Sequence, residues 1–220
     1  VVERALDAGC RPHLALADAG RMPPVVDRLL AAGCDVFAGG EEVRRMVTGL
    51  GVPHPIVALF HRPSRPSADE LTARSSRLVV VEGVDNPANI GSIVRNAAAL
   101  GWDGLLLDHT SADPLSRRAL RVAMGTAFAL PHARTRSLIE VVRRAGERGM
   151  EIYALTPDPA ATPIGGITAS GDRAVLIGSE RTGLSLEALD VGRPVRIPMA
   201  NGVDSLNAAA AVAIACYSLR

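Results

Sequence analysis

The sequence predicts an α/β protein: a small α/β block, then a larger, mostly parallel sheet with helices on both faces. Three observations carry this. Short apolar runs alternate with stretches of helical period along the whole chain. Several helical stretches stop at a glycine, as at Gly9, Gly33, Gly49 and Gly101. One stretch, HRPSRPSADELTARSSR from His61 to Arg77, breaks the rhythm with proline, serine and charge.

In the first block, Val1 to Ala8 reads as a helix and His13 to Ala17 as a strand. Pro24 to Ala32 follows as a helix, then Asp35 to Ala38 as a strand. Glu41 to Thr48 is a third helix and Ile56 to Phe60 a third strand. The stretch after it reads as a linker. The second block opens with Leu78-Val79-Val80-Val81, a strand apolar on both faces. A polar turn, Gly83 to Asn89, leads into a helix from about Ile90 to Leu100, and Leu105 to Leu107 is the next strand. Helices are expected over Pro114 to Met124 and Leu138 to Gly146. Strands are expected over Ile152 to Leu155, Ala174 to Ile177 and Val195 to Pro198. An Ala-rich helix over Ser205 to Leu219 closes the chain. In such sheets ligands sit beyond the carboxyl ends of the strands, where Asn89, Thr156, Gly178 and Ile197 fall.

Bulk composition limits the function. With 48% hydrophobic and 21% charged residues in 220, the chain can bury a substantial core. A net charge of +1 does not by itself demand a nucleic-acid partner. Every basic residue is arginine, which fits GC-rich coding and also suits bidentate phosphate recognition. Cys10, Cys34 and Cys216 are odd in number and far apart, so a disulfide framework is not expected and a cytoplasmic setting is. The five histidines lack metal-ligand spacing, so no metal is expected, and no apolar run reaches membrane-spanning length.

The motifs exclude before they assign. Gly-x-Gly-x-x-Gly, a Walker loop and Gly-x-Ser-x-Gly are all missing. Arg95 stands among small and apolar neighbours, so it is either paired in a cleft or exposed on a polar stripe with Asn96. Asn89 reads as a helix N-cap, and its offset from Arg95 keeps the two off one helical face. Glu180 could accept loop amides or contact a ligand. Ser205 could cap the last helix, and Met199-Ala200-Asn201-Gly202 makes a turn that lets backbone approach a ligand.

Taken together, NPANIGSIVRNAAALG, LIGSERTGLS and VRIPMANGVDSLNAAAAVAI resemble the three signature motifs of the SpoU (TrmH-like) RNA 2'-O-ribose methyltransferases of the SPOUT superfamily. The first block more loosely resembles the small substrate-binding domain often found ahead of them. The resemblance implies a small RNA-binding α/β domain over 1–62 that lacks its first strand, a linker over 63–76, and a methyltransferase domain over 77–220 with a deep C-terminal trefoil knot. It implies S-adenosylmethionine as cofactor, held by Leu155, Thr156, Gly178, Glu180, Ile197, Met199, Ser205 and Leu206. Arg95, Asn89, Glu180, Ser205 and Asn207 match the catalytic set.

A homodimer is implied, with the substrate site built from both copies. The reaction expected is methyl transfer to a ribose 2'-hydroxyl of ribosomal RNA, with transfer RNA second. A guanidinium is a poor base, so Arg95 is read as a phosphate clamp that stabilises the developing alkoxide, positioned by Asn89, while Glu180 orders the cofactor loop. Arg62, Arg65, Arg74, Arg77, Arg117, Arg118 and Arg121 are expected phosphate contacts, against a solvated face as the alternative. A non-catalytic RNA-binding or assembly protein that retains the fold is the competing reading.

Overall fold

The computed structural model describes residues 1–52, 54–200 and 203–220. The chain divides into two compact units, Val1–Ser64 and Arg65–Arg220.

The first unit runs α1 (Val2–Asp7), β1 (Pro12–Asp18), α2 (Val25–Ala31), β2 (Asp35–Gly39), α3 (Glu41–Thr48) and β3 (Ile56–Phe60). Strand β1 is central, with β2 parallel on one side and β3 antiparallel on the other. Ala15, Leu29 and Cys34 form the buried centre of this unit. Arg44 is buried, which is tolerable because its guanidinium donates to Gly39 O at 3.2 Å, His54 O at 2.7 Å and Asp18 Oδ2 at 2.7 Å.

The second unit begins with α4 (Ala68–Arg74), inside the stretch expected to be a linker. Ser67 and Glu70 form a reciprocal capping box, and Leu71 and Thr72 are buried. Ser67-Ala68-Asp69-Glu70 has the Ser-x-x-Glu spacing of a helix start, one residue after Pro66. The unit continues with β4 (Arg77–Val81), α5 (Pro87–Ala99), β5 (Gly104–Asp108), α6 (Arg117–Val122), β6 (His132–Thr135), α7 (Leu138–Glu147), β7 (Glu151–Leu155), β8 (Thr162–Pro163), β9 (Arg173–Ile177), α8 (Leu186–Asp190), β10 (Arg193–Arg196) and α9 (Ala208–Ser218). The strands form a seven-stranded sheet of order β6-β5-β4-β9-β7-β10-β8, parallel at every pairing.

Both faces of this sheet are covered, which explains the unbroken apolar run of β4. Val79 and Val81 pack toward α5, α6 and α9, with Ile90, Ile93, Val94 and Val212. Leu78 and Val80 pack toward α4 and α7, with Leu71, Leu138, Val141 and Val142. Helix α5 approaches α6 closely at Gly91, where a Cβ would lie 2.5 Å from Ala119 O.

Two expected caps are displaced. Asn86, not Asn89, caps α5: its side chain accepts from Ala88 N at 2.9 Å and Pro87 opens the helix. An Asn-Pro pair is itself a helix-start signal. Asn207, not Ser205, caps α9, accepting from Ala209 N at 3.0 Å and Ala210 N at 3.3 Å. Both Asn89 and Ser205 are thereby released from capping.

Candidate functional site

Parallel register sets Val81 beside Ile177 and Leu176 beside Ala154, so β4, β9 and β7 end at one edge of the sheet. The loops leaving that edge build a cavity of about 420 Å³. Leu155 and Thr156 contribute from the end of β7, Gly178 and Glu180 from beyond β9, and Ile197 and Met199 from beyond β10. Ser205 and Leu206 come from the approach to α9. Every residue expected to hold the cofactor therefore lines one cavity. Asn201 and Gly202 of the expected turn lie outside the described residues.

Gly178 has a packing reason to be glycine. The loop 179–183 folds back on it, so a Cβ would lie 2.1 Å from Gly183 C and 2.3 Å from Leu184 N. Gly183 N donates to Ser179 O at 2.9 Å, and Gly183 takes φ +68, which closes this turn.

Three motif residues meet behind the cavity. Glu180 Oε1 accepts from Asn89 Nδ2 at 3.0 Å, Asn207 Nδ2 at 2.7 Å and Ala208 N at 3.3 Å. Asn207 Nδ2 also donates to Asn89 Oδ1 at 3.0 Å. A carboxylate at the start of α9 is favoured by the helix dipole as well as by these donors. Asn89 sits inside α5 and is buried, so its amide is fixed between two loops. Two turns later Asn96 Nδ2 donates to Ala209 O at 2.9 Å, a second tie between α5 and α9 that the sequence reading did not foresee.

Asp108 was also unforeseen. It is buried at the end of β5 and accepts from Gly83 N at 3.1 Å, Thr110 N at 3.1 Å, Ser111 N at 3.0 Å and both hydroxyls of Thr110 and Ser111. Burial alone would raise its pKa, but the hydroxyl and amide donors outweigh burial and hold it below the usual carboxylate value. Asp108 thereby pins Gly83, which takes φ +68 at the start of the loop into α5. An Asp followed by Thr and Ser two and three residues on is the sequence signal for such a turn.

Arg95 does not join the cluster. It lies six residues beyond Asn89, roughly 120° away around α5, and its side chain is exposed. The expectation that Asn89 positions Arg95 directly is corrected: Asn89 is spent on Glu180 and Asn207. Arg95 follows Gly91 by one turn, on the side of α5 that meets α6, and it makes no hydrogen bond or ion pair among the described residues. Arg117, Arg118 and Arg121 are exposed on α6, and Arg62 and Arg74 are exposed too. Arg65 instead pairs with Asp113 at 2.7 Å, and Arg77 Nη1 donates to Gly101 O at 3.3 Å, so these two hold the fold. Among the described residues no group of three or more His, Cys, Asp or Glu could hold a metal ion. No described helix is long and apolar enough to cross a membrane.

Against known proteins, the model of the SpoU rRNA Methylase family matches residues 76–217. An uncharacterized tRNA/rRNA methyltransferase of Mycobacterium tuberculosis (strain H37Rv) is 35% identical over 99% of this chain and 77% of its own length. The 23S rRNA (guanosine(2553)-2'-O)-methyltransferase RlmP of Bacillus subtilis is 29% identical over 100% of this chain and 85% of its own. Among solved structures, an AdoMet-bound rRNA methyltransferase from Sinorhizobium meliloti superposes with TM-score 0.85 at 29% identity, over 99% of this chain and 82% of that one. The SpoU methyltransferase AviRb from Streptomyces viridochromogenes, in complex with AdoMet, gives 0.83 at 26% identity over 99% and 85%.

Proposed function

This chain belongs to the SpoU rRNA methylase family, and on that premise we propose that it methylates a ribose 2'-hydroxyl of large-subunit ribosomal RNA, using S-adenosylmethionine. The observation that carries the reading is the 420 Å³ cavity into which all the residues matched to cofactor binding converge. Its size suits a small-molecule cofactor. Leu155, Ile177, Ile197 and Leu206 offer apolar walls for an adenine, while Thr156, Glu180 and Ser205 offer polar contacts at defined places. Bound there, the sulfonium supplies an activated methyl group.

The chain's own residues do the rest. Glu180, locked by Asn89 and Asn207, fixes the loop 178–184 that forms one wall. Its second oxygen, Oε2, makes no bond among the described residues, and Glu180 lines the cavity. Arg95 supplies a cation with five donors, suited to holding a phosphate and to stabilising the oxyanion as the 2'-hydroxyl loses its proton. Arg74, Arg117, Arg118 and Arg121 offer further cations to the RNA, and the first unit, with Arg62, serves to bind substrate.

A homodimer completes the enzyme. Helix α9 is apolar all round, which is the mark of a helix covered on every side. Yet Ile214 and Tyr217 are 39% and 56% exposed in the single chain, which supports a second copy covering them. We read the path from β7 through β9 and β10 to α9 as the family's trefoil knot. The free thiols support a cytoplasmic enzyme.

A methyl-transfer assay tests the function. Labelled S-adenosylmethionine is mixed with unmodified large-subunit ribosomal RNA and, separately, transfer RNA, and the digested nucleosides are identified by mass. The expected product is a 2'-O-methylnucleoside from the ribosomal RNA that is absent with Arg95→Ala. A base-methylated nucleoside, or no transfer despite cofactor binding, overturns the reading.

A further inference from the structure

In the first unit, which contributes no residue to the cavity lining, one end of the three-stranded sheet carries Arg11, Pro12 and His13 on one strand and Phe60, His61 and Arg62 on its antiparallel neighbour. His61 N donates to Arg11 O at 3.0 Å, extending the ladder past the last paired residues. The register is not regular here. Pro12 pairs with Phe60 and Leu14 with Leu59, so His13 is an extra residue without a partner across the strand. A bulge of this kind re-aims a side chain and is over-represented at functional edges. Here it brings the His13 ring against the His61 ring, with centroids 5.3 Å apart and planes tilted by 57°.

Both imidazoles are exposed, as are Arg11 and Arg62, so no core is gained by the pairing. The Arg11 side chain makes no hydrogen bond or ion pair among the described residues. The bulge therefore maintains a pair of flat rings on the surface, at a sheet end that also carries Arg11 and Arg62.

We propose that this bulge-built His13–His61 pair, with Arg11 and Arg62, is a contact surface for a single-stranded segment of the RNA substrate. The chemistry matches such a ligand: imidazole faces stack on unpaired bases, and guanidinium groups take the phosphates on either side. The proposal deepens the reading of the chain as an RNA methyltransferase and rests on it.

Two readouts on the full chain separate the two ideas. Filter binding measures affinity for an unmodified large-subunit ribosomal RNA transcript, and methyl transfer to the same transcript measures kcat and KM. For His13→Ala/His61→Ala and for Arg11→Ala, RNA affinity is expected to fall at least about fivefold and KM to rise equally. The kcat at saturating RNA and the affinity for S-adenosylmethionine stay unchanged. Arg11→Ala also lowers the slope of log affinity against log salt by about one. His13→Tyr, which keeps a stacking face, retains most of the affinity. RNA affinity equal to wild type in both variants overturns the proposal, whether or not methyl transfer is seen. Absence of methyl transfer by the wild type overturns the enzymatic reading alone. His13 and His61 are exposed, and melting temperatures near wild type verify folding. Should the double variant not fold, Arg11→Glu gives the same decision.

Discussion

The side-chain amide of Asn207 donates to Glu180 Oε1 at 2.7 Å while its own oxygen caps α9. One residue thus anchors the last helix and holds the carboxylate of the loop beyond β9. These tasks are separable. Asp caps helices about as well as Asn, but an Asp at this place faces Glu180 with like charge. Asn207→Asp is expected to keep stability within about 1 kcal/mol and to weaken S-adenosylmethionine binding at least about tenfold. Asn207→Ala loses the cap as well, with a further destabilisation of about 1 kcal/mol. Titration calorimetry with S-adenosylmethionine decides: if the Asp variant binds like wild type, the bond to Glu180 does not order the cavity.

Gly178 and Gly183 separate close packing from backbone strain. A methyl group at 178 would overlap the backbone of Gly183 and Leu184, neither of which is the end of a flexible side chain. Gly178→Ala should therefore cost about 3 kcal/mol and abolish cofactor binding by pushing the loop away. Gly183 has open space around it but takes φ +68, so Gly183→Ala should cost only about 1 kcal/mol. Urea unfolding of both variants gives the ranking, and equal losses would refute this account.

Arg95 lies outside the cavity lining and outside the Asn89–Glu180–Asn207 cluster. Its loss should spare cofactor affinity while lowering kcat/KM for RNA by about 100-fold or more, the scale of a removed oxyanion donor. Arg95→Lys should recover little, because an ammonium cannot reproduce the planar fork. Near-full activity of the Lys variant would exclude the clamp and leave only a requirement for charge.

Much of this was legible in the sequence because it was local. The run Leu78–Val81, the Ala-rich last helix and the glycine-terminated helices announce themselves by period and composition. Short edge strands do not: β8 is two residues long, and β6 carries His132 and Arg134 within four residues. Helix α4 was obscured because prolines at 63 and 66 spoke louder than the Ser67–Glu70 box. The cavity residues were legible through motif wording, but the bonds that lock them were not. Asn89 is 91 residues from Glu180 and 118 from Asn207, and no periodicity reports a contact across such distances. The linker arginines show the opposite failure, since composition alone cannot say that Arg65 turns inward to Asp113.

Asp108 carries the pH dependence. Its folded pKa lies below the unfolded value of 3.8, so its hydrogen bonds stabilise the protein in full above that value. The contribution fades as pH falls below 3.8 through the folded pKa, because the carboxyl must then take up a proton that its donors oppose. Asp108→Asn removes the charge while keeping the shape, and it places an amide donor among the hydroxyls and N–H groups of Thr110, Ser111 and Gly83. At pH 7 this variant is expected to be less stable than wild type by about 2–3 kcal/mol, the scale of lost bonds to a buried charge. The difference should shrink below pH 3.8, where wild type loses the same advantage. Unfolding curves at pH 7, 5 and 3 measure it. Since Asp108 pins Gly83 at the entry to the α5 loop, cofactor affinity should fall together with stability at neutral pH. A gap between the two proteins that stays constant from pH 7 to pH 3 would mean that the carboxylate charge contributes nothing there.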